Sequence, residues 1–192
     1  MNTDTFEMTT GLAHEIAMAM RRNGWTVPDA KKLTEGDTLA RLLPFLKGNA
    51  EIKTVKHVID CDADPYLPDG WKVEEHRKGG QVEFDLSKVT LYLVKDQQCG
   101  GVIEGNKLRK QLAKQPVFNA NVLDYLLKNP ALIPDEWKGK AIFFWGTVYR
   151  DSLGGLYVRY LLWRGSSWGW SHYWLDNGWY DGYPALCPQV SA

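Results

Sequence analysis

The stretch AIFFWGTVYRDSLGGLYVRYLLWRGSSWGWSHYWL, residues 141–175, decides the fold of this protein. It holds three runs rich in apolar and aromatic residues, and two short turn sequences, DSLGG (151–155) and RGSS (164–167), separate them. Runs of this length bounded by Gly- and Ser-rich turns are typical of antiparallel strands. The stretch therefore predicts a three-stranded β-meander.

The turns also predict the register of this meander. In the first hairpin we expect Arg150 to face Leu156, and in the second we expect Trp163 to face Trp168. Successive side chains of a strand point to opposite faces, so this register divides the residues into two sets. One face collects most of the rings, with two polar residues near its middle. Its members are Phe143, Trp145, Thr147, Tyr149, Tyr157, Arg159, Leu161, Trp163, Trp168, Trp170, His172 and Trp174.

The opposite face is mostly aliphatic, with small residues at Gly146, Gly169 and Ser171. Small side chains allow another element to approach closely, so we expect a helix over residues 119–130 to pack against this face. The aromatic face then has three interpretations. It is the inside of a sandwich with earlier strands, a platform for a flat or ring-shaped ligand, or a surface for a protein partner.

If the aromatic face binds a ligand, the tryptophan rings stack on the ligand and two polar side chains recognise its polar groups. Stacking on indole rings suits sugars and nucleotide bases, and an arginine pairs with phosphate or carboxylate. The candidate ligand-binding residues are Trp145, Arg159, Trp163, Trp168, Trp170, His172 and Trp174.

Outward from the meander, the apolar periodicity of the chain changes near residue 50. Residues 10–48 have the helical spacing of apolar residues, whereas residues 51–59 alternate as a strand does. Three further segments are strand candidates: 71–76, 81–84 and 88–94. Two helices, over 104–116 and 119–130, precede the meander. We therefore expect an α+β protein with a helical N-terminal segment (1–49) and a domain (50–192). In that domain, two helices pack a mainly antiparallel sheet that ends in the Trp-rich meander.

The segment DCDAD places Asp60, Asp62 and Asp64 at alternate positions, shortly after His57. This spacing resembles the start of a calcium-binding loop, but Pro65 stands where such a loop needs glycine and Trp71 where it needs glutamate. A looser divalent-metal site of His57, Asp60 and Asp62 remains as a weak candidate. The other interpretation is that these acids cap turns. We expect no metal and no cofactor.

Composition excludes several classes of protein. Basic and acidic residues both number 23, which disfavours a broad nucleic-acid-binding surface. No apolar run approaches the length of a membrane span, and the first residues lack the pattern of a secretory signal. Three cysteines without a CxxC pair predict free thiols in a reducing cytoplasm.

Two stretches, VIDCDADPYLPDGWKVEEHRKGG (58–80) and NANVLDYLLKNPALIPDEWKGKAIFFWGTVYRDSLGGLYVRYLLW (119–163), resemble a recurring group of uncharacterised bacterial and metagenomic proteins. The similarity extends over nearly the whole chain, including the Trp-rich C-terminal region. It implies a bacterial protein, with a mobile element as one setting, and it implies no mechanism.

Together these patterns favour a non-catalytic binding module that uses the aromatic sheet face for a sugar, a nucleotide or a protein partner. One alternative is a metal-assisted hydrolytic enzyme built on His57, Asp60 and Asp62. Another is a purely protein-interaction role, in which the helical N-terminal segment docks a partner. The sequence favours no oligomeric state.

Overall fold

A computed structural model describes residues 6–51 and 55–189 of the chain. The chain divides into two compact units, Met1–Val55 and Lys56–Ala192. Within the described residues, no helix combines the length and apolar character that crossing a membrane requires.

The first unit contains three helices, α1 (Thr10–Arg22), α2 (Val27–Lys32) and α3 (Thr38–Leu46). The Thr9 hydroxyl caps α1 by accepting a hydrogen bond from the Leu12 backbone N–H at 3.2 Å. Thr26 and Asp29 form a reciprocal capping box at the start of α2. None of the residues in these three helices is buried.

The second unit combines strands with two helices, α4 (Gly105–Leu112) and α5 (Ala120–Lys128). Its first five strands precede the helices: β1 (Val58–Asp60), β2 (Lys72–His76), β3 (Gln81–Glu83), β4 (Val89–Tyr92) and β5 (Ile103–Glu104). Six more follow them: β6 (Ile142–Phe143), β7 (Thr147–Arg150), β8 (Leu156–Trp163), β9 (Trp168–Trp174), β10 (Gly178–Trp179) and β11 (Ala185–Pro188). The α+β class expected from the sequence is confirmed.

A mainly antiparallel, curled sheet of seven strands forms the centre of this unit. Its order is β2-β7-β8-β6-β11-β4, and β9 pairs with β8. Two small pairs, β1 with β3 and β5 with β10, accompany it. Among these pairings only β11 with β6 is parallel. Of the first strand expected from the sequence, 51–59, only Val58 and Ile59 lie in a strand, β1; residues 55–57 are not in a strand, and residues 52–54 lie outside the described residues.

The predicted register is confirmed along the whole of the second hairpin, and in the first hairpin for the two pairs next to the turn. Arg150 faces Leu156 across β7 and β8, and every pair from Tyr157–Trp174 to Trp163–Trp168 forms across β8 and β9. Arg159 and His172 are therefore direct cross-strand neighbours, as expected. The short turns fix this register because the turn determines which residues pair first. A slip by one residue would then turn every side chain to the opposite face.

The first run of the meander breaks where the sequence predicted a continuous strand. Gly146 leaves the ladder, because its N–H donates to Phe118 O at 2.9 Å and its C=O accepts from the Arg77 N–H at 2.7 Å. Upstream of this break, Phe143 pairs with Tyr160 rather than with Trp163. A shift of three residues reverses the faces, so Phe143 and Trp145 lie on the face opposite to the predicted one.

Two hydrophobic clusters fill the core, one on each side of the sheet. On the side of Arg159, Val122, Leu123 and Leu126 of α5 pack with Leu161. On the other side, α4 contributes a pair of leucines that pack with Val158. The expected position of the 119–130 helix was therefore wrong: α5 covers part of the aromatic face, and α4 covers the aliphatic one.

Candidate functional site

An open groove of about 520 Å³ lies on the aromatic side of the sheet, between β1 with the loop after it, α5 and the centre of the hairpin β8–β9. The volume falls in the range of small-molecule sites, about 300–1,000 Å³. We call it the Arg159 groove. Its lining residues are Val58, Ile59, Asp60, Ala63, Asp64, Tyr66, Asn121, Asp124, Tyr125, Leu127, Lys128, Arg159 and Trp170.

An ion pair lies at the base of this groove. The Arg159 guanidinium donates to both carboxylate oxygens of Asp124, from Nη1 at 3.1 Å and from Nη2 at 2.7 Å. The Arg159 side chain is 1% exposed and that of Asp124 is 24% exposed. Burial alone would lower the pKa of Arg159, but the hydrogen bonds and charge of Asp124 raise it. The arginine therefore stays charged and paired.

Two aromatic rings pack around the same guanidinium. Its carbon lies 4.3 Å from the centroid of the Trp170 ring and 5.0 Å from that of Tyr66. The two rings contact each other edge to face, with centroids 5.8 Å apart. Trp170 is half-buried, whereas Tyr66 is 54% exposed. The groove thus presents aromatic surface beside a neutralised ion pair.

Two asparagines at the start of α5 fix one wall of the groove. Asn119 caps the helix and donates from its amide to Cys61 O at 2.8 Å. Asn121 donates to Asp60 O at 2.9 Å and to Ala63 O at 2.8 Å. The loop after β1 is therefore fastened to the same helical turns that present Asp124.

Carboxylates outnumber cations along the groove. Asp60 and Asp64 are exposed on the loop, and Asp124 keeps part of its carboxylate accessible. Lys128, also exposed, supplies a second cation besides Arg159. A hydrogen bond of 3.0 Å joins the hydroxyl of the lining residue Tyr125 to Nδ1 of His57.

The structure brings two of the predicted ligand-binding residues, Arg159 and Trp170, together in this groove. Trp163 and Trp168 form a separate pair further along the hairpin, with centroids 5.4 Å apart. The ammonium of Lys138 lies 4.4 Å from the Trp163 ring centroid. This pair packs at the end of the sheet, away from the groove lining.

The remaining predicted residues lie elsewhere. His172 contacts the rings of Trp71 and Tyr157, with centroids 4.9 and 5.3 Å away, and the accompanying loss of water lowers its pKa. Trp174, opposite Tyr157, is 41% exposed. Trp145 is 1% exposed and packs against Trp179 on the other side of the sheet, because of the break at Gly146.

The weak metal candidates are not brought together. Asp60 Oδ1 accepts from the Asp62 N–H at 2.9 Å and caps the turn after β1, whereas Asp62 Oδ1 accepts from the Gly80 N–H at 2.9 Å and ties this loop to the segment before β3. His57 is hydrogen-bonded to Tyr125 instead. Within residues 6–51 and 55–189, no group of three or more His, Cys, Asp or Glu side chains has the arrangement of a metal site.

Of the groove residues that contact the Arg159 guanidinium, Tyr66 and Asp124 were absent from the predicted set. A signal for Asp124 exists in the sequence: an arginine on a face of rings needs a carboxylate when it is buried, and Asp124 interrupts the apolar stripe of the neighbouring helix. Tyr66 carries no such signal, since only the folded loop places it over Trp170.

No model of a protein family matches this chain, and neither does any curated protein or solved structure.

Proposed function

We propose that this protein is a non-catalytic binding module that holds a small ring-containing molecule in the Arg159 groove. The observation that carries the proposal is the stack of Trp170, the Arg159–Asp124 ion pair and Tyr66 at an open groove of about 520 Å³. Pockets that combine aromatic surface with a few fixed polar groups are the usual sites for small molecules.

The placement of the described cysteines supports binding rather than nucleophilic catalysis. Burial raises the pKa of Cys61 to about 11 and that of Cys187 to about 12, so both thiols stay protonated near neutral pH. A thiol is a weak nucleophile compared with its thiolate. Cys99 is exposed and does not line the groove.

Replacing Trp170 with alanine tests the proposal. We expect a ligand of the groove to bind about tenfold or more weakly to Trp170→Ala, since stacking on one aromatic side chain contributes about 1–3 kcal/mol. The measurement is isothermal titration calorimetry against a panel of neutral sugars, uronic acids and nucleotides.

Trp174→Ala is the matched control. Trp174 lies on the same strand and the same face as Trp170, but it does not line the groove. A ligand that binds equally well to the wild type and to both variants would contradict the proposal, as would equal loss in the two variants. Circular dichroism of each variant separates lost binding from lost structure.

A further inference from the structure

We infer that the Arg159 groove selects an uncharged, hydroxyl-rich ring, a neutral pyranose sugar, over a nucleotide or an acidic sugar. This inference rests on the proposed function, because it names the chemical class of the ligand for the same groove. It follows from three properties of the lining: its charge, its free hydrogen-bonding groups and its aromatic surface.

The charge of the lining disfavours an anion. Three carboxylates, Asp60, Asp64 and Asp124, face two cations, Arg159 and Lys128. Both Nη atoms of Arg159 already donate to Asp124, and the side chain is almost completely buried. A phosphate or carboxylate entering the groove would therefore meet more negative charge than positive charge, and juxtaposed like charges cost binding free energy.

The hydrogen-bonding groups of the lining favour a ligand rich in donors. The Asn121 amide nitrogen is already engaged by two backbone carbonyls of the loop. Asp60 and Asp64 are exposed, and a carboxylate offers about four acceptor positions and no donor when ionised. Sugar hydroxyls donate to carboxylates, and hydrogen bonds to an ionised acceptor are the stronger kind. A hydroxyl can also accept from the Lys128 ammonium, whereas a purely cationic ligand cannot.

The aromatic surface matches one face of a pyranose. Such a ring has C–H groups on one side and hydroxyls at its rim, so it needs apolar surface and acceptors next to each other. Trp170 and the half-exposed ring of Tyr66 supply the apolar surface. Asp64, two residues before Tyr66 in the same loop, lines the same groove and supplies a carboxylate. Beside the Trp163–Trp168 pair, in contrast, the Asp135 carboxylate is paired with the Lys138 ammonium at 2.7 Å, and this ammonium lies over the Trp163 ring.

The test compares ligand classes and a carboxylate variant. Calorimetry of the full chain is run with neutral glucose-, mannose-, galactose- and N-acetylglucosamine-based oligosaccharides, with galacturonic acid oligomers, and with AMP and GDP. We expect a neutral oligosaccharide to bind best. We expect Asp64→Asn to weaken it about tenfold, because the substitution removes a charge-assisted hydrogen bond.

Asp69→Asn is the matched control, since Asp69 lies in the same loop, is exposed and does not line the groove. If AMP, GDP or the uronic acid binds best, is lost in Trp170→Ala, and binds more tightly to Asp64→Asn, the inference is overturned while the proposed function stands. If no ligand of the panel binds, or if binding does not depend on Trp170, both fail.

Discussion

At the scale of single residues, the Arg159–Asp124 pair places a buried and neutralised charge at the centre of the aromatic face. A charged guanidinium with 1% of its side chain exposed is stable only because a carboxylate and two rings replace the water that it lost. The sequence indicated only one member of this pair. Arg159 stood out among the rings, but its partner lies 35 residues earlier on a helix that the sequence placed on the other side of the sheet.

Removing Asp124 should show how much free energy of unfolding is lost when the buried Arg159 charge has no carboxylate partner. We expect Asp124→Ala to lower the free energy of unfolding by about 3 kcal/mol, since breaking a buried pair leaves an uncompensated ion. Urea denaturation followed by tryptophan fluorescence measures the change. Asp64→Ala, at an exposed position of the same groove, should stay within about 0.5 kcal/mol of the wild type. Equal effects of the two substitutions would contradict the assigned role of the pair.

At the scale of elements, the sequence correctly predicted the strand pairings that short turns determine. The hairpins β7–β8 and β8–β9 have the expected register because their short turns set it. The break at Gly146 could not be predicted in this way. It depends on two hydrogen bonds with residues distant in sequence: the Gly146 N–H donates to Phe118 O, and the Arg77 N–H donates to Gly146 O. The same break moves Trp145 out of the predicted site, to the other side of the sheet.

Gly146 also makes a close approach that a side chain would block. A Cβ at this position would lie 2.8 Å from Asn119 Cβ and 2.9 Å from its backbone nitrogen. We expect Gly146→Ala to reduce the free energy of unfolding by about 2 kcal/mol, the usual cost of overpacking. In the control Gly79→Ala, the nearest atom would be at 3.4 Å, an ordinary contact, and little change is expected. Chemical denaturation that shows Gly146→Ala to be as stable as Gly79→Ala would refute this packing argument.

At the scale of the whole molecule, the core belongs to the second unit. Every buried residue among those described lies between Ile59 and Cys187, whereas the three helices of the first unit bury none. The sequence indicated a change of character near residue 50, because the apolar periodicity changes there from helical to alternating. The sequence could not predict which face of the sheet each of the helices α4 and α5 covers, because both helices carry suitable apolar stripes.

This distribution predicts that the second unit folds without the first. We expect residues 56–192 alone to melt cooperatively, within a few degrees of the full chain, because the truncation removes no buried side chain among the described residues. Differential scanning calorimetry and near-UV circular dichroism check the expectation. A truncated chain that lacks a cooperative transition would show that the helices contribute to the fold of the sheet.

The fastening of the loop after β1 to the first turns of α5 has a kinetic consequence. Asn119 and Asn121 hold this wall by hydrogen bonds that need no ligand. If the Arg159 groove binds a small molecule as proposed, that molecule meets a preformed wall, and its binding requires no slow rearrangement and little loss of chain entropy. Association should then proceed in a single step at a rate that hardly changes among related molecules. Differences in affinity among related ligands would then come from their dissociation rates, that is, from their residence times in the groove.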